Sequence, residues 1–102
     1  MSANPVRGEV SISIGGVDLT LRPSFAALVA AEAELGPLFA LVERAAAGNL
    51  KLDELGGLLW HCLVQPPEGI SRTLFCEALV VAGLAAATPA LRTLLTQILH
   101  GK

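Results

Sequence analysis

The chain has 102 residues, 53% of them apolar and 16% charged, with a formal net charge of −2. That length fits one domain, residues 1–102, with a modest core. The scattered basic residues (Arg7, Arg22, Arg44, Lys51, Arg72, Arg92 and Lys102) give no concentrated footprint for nucleic acid, and no stretch approaches the roughly 18 apolar residues of a membrane span.

Residues 1–8 read as a short tail without the apolar core of a secretory signal, so a cytosolic protein is expected. Residues 9–22 then alternate apolar and polar with the period of a half-buried strand, interrupted by Gly15-Gly16. A Gly-Gly pair supplies the positive φ of a two-residue hairpin turn. Folding there sets Ile14 against Val17, Ile12 against Leu19 and Val10 against Leu21 on one face. Ser13–Asp18, Ser11–Thr20 and Glu9–Arg22 are the rungs of the other face. A lone hairpin is marginal in water, so its apolar face must lie on the rest of the chain or on another protein. Its outer edges offer unpaired backbone groups to a strand from a second copy.

The remainder, residues 23–101, patterns as a helical body. Pro23 ends the second strand and Ser24 caps a helix over about 25–35, with Phe25, Leu28, Val29, Glu32 and Leu35 on one face. Gly36 is its stop, and Pro37 suits the first position of the next helix. That helix carries Leu38, Leu41, Val42 and Ala45 as its stripe, with Phe39 to one side, and ends at Gly48-Asn49. A third helix is expected over about 52–64, with Leu52, Leu55, Leu59 and Cys62 on one face, broadened by Leu58 and Leu63. Gly56-Gly57 at its middle costs helix propensity, about 1 kcal/mol per Gly relative to Ala, which calls for close packing or a kink. Gln65-Pro66-Pro67-Glu68-Gly69 is a break. Ser71 caps a fourth helix over about 72–82, with Leu74, Phe75, Ala78, Leu79 and Ala82 inward. Thr88-Pro89 reads as cap and first residue of a fifth helix over about 89–99, with Leu91, Leu94, Leu95, Ile98 and Leu99 apolar. The fold class is therefore mainly α, an N-terminal two-stranded β-hairpin followed by about five short helices.

Residues that carry chemistry are few. His61 and Cys62 are adjacent, and neighbours on a helix point in different directions. No paired Cys or His spacing of a metal site exists. Cys62 and Cys76 read as small buried hydrophobes in a reducing compartment. No base, orienting residue or oxyanion hole is marked for a cysteine nucleophile. Glu32, Glu34, Asp53 and Glu54 read as helix-surface charges, the last two complementing the dipole of the third helix. Gly15-Gly16 lacks the pattern of a phosphate loop. No enzyme and no cofactor is expected. Trp60 reads as a core residue or an interface anchor.

The run Asn4-Pro5-Val6-Arg7-Gly8-Glu9-Val10, the hairpin through Leu21-Arg22, and Phe25 through Gly36 resemble the gene transfer agent family of small phage-tail proteins. Leu50 to Leu55, and on through Leu58-Leu59-Trp60, looks like that family's next block. The likeness covers about residues 4–64, and its motifs are structural. Gene transfer agents are phage-like particles encoded in bacterial chromosomes, and the family is described both as a tail tube component and as a tail assembly chaperone. The resemblance implies a protein of the bacterial cytoplasm with the tape measure protein and the tail tube protein as partners, and self-association is expected besides. The chaperone is favoured on physical grounds. A tube wall is built from extended sheet, and this chain offers two strands. The other readings are a permanent tail subunit (tube, terminator or connector) and an unrelated helical protein-interaction domain. The candidate structural and interaction residues are Val10, Ile12, Ile14, Gly15, Gly16, Val17, Leu19 and Leu21 of the hairpin, Phe25 and Leu28 of the first helix, and Trp60. Ala-rich faces on the first two helices permit close approach, either within the chain or to a partner's helix.

Overall fold

The computed structural model describes residues 9–14, 16–66 and 68–100, with the backbone but not the side chain of Ala86. Gly15, the tail and the Asn4–Gly8 part of the resemblance lie outside the described residues. Strands β1 (Val10–Ile14) and β2 (Val17–Leu21) pair antiparallel in the expected register, from Val10↔Leu21 through Ile12↔Leu19 to Ile14↔Val17. Gly16 takes φ 79°, a value open to Gly without a Cβ penalty. Five helices follow: α1 (Phe25–Leu35), α2 (Leu38–Ala46), α3 (Leu52–Cys62), α4 (Arg72–Ala82) and α5 (Leu84–His100).

The caps explain most of the boundaries. The hydroxyl of Ser24 accepts from Ala27 N–H at 3.2 Å, and that of Ser71 from Leu74 N–H at 3.2 Å. Glu54 Oε1 accepts from Lys51 N–H at 2.9 Å, closing the first turn of α3. Pro37 stands one place earlier than expected, as the N-cap of α2, with its carbonyl accepting from Leu41 N–H at 3.1 Å. The Leu38 N–H, left free by that arrangement, donates to Glu32 Oε2 at 3.0 Å.

Three expectations are corrected. The third helix stops at Cys62, and Leu63–Val64 turn outward as a short strand, β3, antiparallel to β2 through Thr20↔Val64 and Leu21↔Leu63. The sheet order is β1-β2-β3. Arg22 N–H donates to Cys62 O at 2.7 Å, continuing that seam, and Gln65 leaves it in the left-handed region at φ 49°. Nothing local marks two apolar residues after a helix as a strand; pairing with β2 does. The fifth helix begins at Leu84, with Pro89 inside it. Thr88 therefore caps nothing, and its hydroxyl donates back to Leu84 O at 3.1 Å. Burial of Ala87 and Ala90 draws the earlier turn into the helix, and Pro89 itself faces solvent.

The third correction concerns α1. Its buried side is Ala31, flanked by the partly buried Ala27, Leu28 and Leu35, while Phe25 and Val29 face out. Nearly every position of Phe25–Leu35 is apolar, so periodicity selects no face, and the small side chains win the tight side. On the other helices Leu52, Leu74 and Leu99 are also about half exposed, and Ala82 is exposed.

The core gathers Val10, Ile12, Ile14, Leu19 and Leu21 of the sheet with Leu41, Leu58, Leu59, Phe75, Leu79 and Leu94 of the helices. The apolar face of the hairpin is thus covered by the chain's own helices. Gly56 and Gly57 are both buried within a continuous α3. A Cβ at Gly56 would fall 2.6 Å from Cys76 Sγ, and one at Gly57 would fall 3.3 Å from Leu35 Cδ2. Close packing against α4 and α1 therefore accounts for the pair.

Candidate interaction surfaces

The helices are tied by ion pairs at their surface. Arg72 of α4 grips both carboxylate oxygens of Glu34 on α1, and His61 Nε2 of α3 lies 2.8 Å from Glu34 Oε1. The Arg72 guanidinium, then the His61 ring, hold the Glu34 carboxyl down to about 2. Arg44 at the end of α2 binds Glu54 of α3 through two bonds of 2.6 and 2.7 Å. That guanidinium, then the Lys51 N–H, hold Glu54 down to about 2. Glu34 and Glu54 lie on helix surfaces as expected, and the structure adds that each clasps a neighbouring helix.

Both carboxyls have a folded value below their ordinary one, so the unfolded chain binds protons more readily. Their stabilisation is complete above about 4.5 and is lost as pH falls towards about 2. Thermal melts followed by circular dichroism from pH 6 to pH 2 should show a steep loss in that window. Glu34→Gln and Glu54→Gln should each flatten it, and an unchanged profile would contradict the assignment.

The cysteines hold no exposed pair. Cys62 is buried in the core, and burial pushes its thiol up to about 12. Cys76 is partly buried against Gly56. Among the described residues no group of three His, Cys, Asp or Glu is placed to hold a metal ion, and no single helix is long and apolar enough to cross a membrane.

The expected contact residues divide sharply. Val10, Ile12, Ile14, Leu19 and Leu21 are core, and Leu28 is partly buried. Trp60 packs at the core's edge, its ring 5.8 Å from that of Phe75 at 47°. Val17 and Gly16 are exposed at the hairpin tip. Phe25 is 85% exposed. Val29 on α1 is about half exposed, and Phe39 on α2 is 78% exposed.

A second apolar surface was not anticipated. An open groove of about 840 Å³ runs between α3 and α4, lined by Leu52, Gly56, Cys76, Leu79, Val80 and Val81 among others. Val81 is 88% exposed. The signal was present in Leu79-Val80-Val81, because three consecutive residues of a helix span far more than one face and cannot all point inward.

No curated protein and no solved structure matches the chain. The family described as phage tail tube protein, GTA-gp10, matches over residues 7–101, which takes in the hairpin, all five helices and both apolar surfaces. With nearly the whole length aligned, the chain belongs to this gene transfer agent tail family.

Proposed function

We propose that this chain is a tail assembly chaperone of a phage-like particle, acting in the bacterial cytoplasm. It binds the helical tape measure protein before the tail forms and assists the loading of tube subunits around it. Family membership supports a structural role in a phage-like tail and assembly with other tail components, including copies of itself. The observation that carries the finer reading is the exposed apolar surface on a helical body: Phe25 and Val29 on α1, Phe39 on α2, and Leu52, Val80 and Val81 about the α3–α4 groove. Apolar patches of this kind mark protein contacts, and helix faces laid against helix faces are a recurring mode of recognition. Among the described residues, strands of five, five and two residues supply little sheet for a tube wall.

The family's own description favours a second reading, a subunit that stays in the tube. Mass spectrometry of purified particles separates the two. The chaperone is expected to be absent or far below the tube protein in amount, while recovery in equal stoichiometry with it would establish the resident subunit.

A further inference from the structure

The groove between α3 and α4 has a chemical character that narrows its occupant. Its floor is apolar, and each wall contributes one carboxylate, Asp53 from α3 and Glu77 from α4. Arg72 is the one cation among the described lining residues, and its guanidinium is engaged by both oxygens of Glu34. Its charge is thus neutralised by an anion on α1 and offers little to a ligand. The apolar floor is consequently bordered by negative charge, of which Glu77 carries the uncompensated part. Asp53 sits in the first turn of α3, where it offsets the partial positive charge of the helix end. Glu77 stands in the middle of α4 without that compensation.

We propose that this groove seats an amphipathic helix of another protein, one whose apolar stripe is flanked by Lys or Arg. The lining runs along α4 from Arg72 to Val81 and takes in Leu52, Asp53 and Gly56 at the start of α3, so a segment of roughly 14 residues, about 21 Å as a helix, spans the groove. Its apolar side chains cover Leu52, Val80 and Val81, and its basic side chains reach Glu77 and Asp53 from either side. The identity of the chain that supplies this helix rests on the chaperone reading, under which it is the tape measure protein; the groove's preference does not.

The test uses the full-length protein and two synthetic peptides of roughly 14 residues with one apolar stripe, flanked by Lys in one and by Glu in the other. Amide shifts in an NMR titration report both site and affinity. The Lys-flanked peptide should shift residues of α3 and α4, and the Glu-flanked one should bind at least about tenfold more weakly. Val81→Glu and Glu77→Lys, both at exposed positions, should each weaken the Lys-flanked peptide about tenfold or more, and Phe25→Glu should leave it unchanged. Equal affinity for the two peptides, or shifts confined to α1 and α2, would overturn the proposal. So would light scattering in which Val81→Glu turns an oligomer into a monomer and the peptide competes with assembly, since the occupant is then a second copy. Capture of purified tape measure protein distinguishes the two levels. Loss with Val81→Glu alone supports the groove, and undiminished capture by that variant overturns it while the chaperone reading stands. Capture by neither protein overturns the chaperone reading, and the peptide titration then decides the groove by itself.

Discussion

Leu21→Ala is expected to lower the unfolding free energy by about 2–5 kcal/mol, the range for truncating a fully buried leucine. Leu21 has no exposed surface and lies on the middle strand, opposite Val10 on one side and Leu63 on the other. A domain of this size has roughly 5–15 kcal/mol in total, so the variant stands near the edge of folding at 37 °C. Urea denaturation of the purified protein measures the loss. Val17→Ala, at the half-exposed tip of the same hairpin, serves as the contrast and should cost about 0.5 kcal/mol or less. Similar losses at the two positions would mean that the sheet does not pack on the helices as described.

Gly56→Ala carries the second large effect, and its sign depends on a neighbour. In an open helix the change stabilises by about 1 kcal/mol through propensity. Here the new Cβ would lie 2.6 Å from Cys76 Sγ, so the sulfur must leave its rotamer or the two helices must part. A net loss of about 1–3 kcal/mol is expected from that overpacking. Cys76→Ala removes the sulfur, and the nearest remaining atom, Cys76 Cβ, is at an ordinary 3.7 Å. In that background Gly56→Ala should be neutral or stabilising. A double-mutant cycle by chemical denaturation reads the coupling, and an equal loss in both backgrounds would refute the close approach of the two helices.

How much of this was legible in the sequence depended on whether the information is local. The hairpin register follows from two adjacent glycines and a strict period of two, and the rungs from Val10↔Leu21 to Ile14↔Val17 form as that pattern requires. Ser24, Gly36 and Ser71 mark helix ends because each satisfies or relaxes a terminal backbone group within its own turn. The rotation of α1 was not legible, since Phe25 and Ala31 are both apolar and only the tight contact with α3 decides between them. Strand β3 and the early start of α5 are tertiary as well. The first needs β2 beside it, and the second needs Ala87 and Ala90 to be buried against a local Thr-Pro signal. The interaction surfaces were half visible. A composition that is 53% apolar predicts exposed apolar area, but its location follows from helix rotation. Most of the hairpin residues named as structural or interaction candidates lie in the core.

The short strand after α3 has a consequence for how copies can join. By lying along β2 it leaves the sheet with unequal flanks, a five-residue rim on β1 and a two-residue stub on β3. A wall that grows strand by strand around a ring requires every subunit to offer matching left and right rims, so that each copy both gives and receives. Among the described residues, only β1 offers a strand of that length at an edge. Two copies joined β1 to β1 would use both of these rims and close on a twofold axis, and the exposed apolar helix faces are then what is left for further contacts.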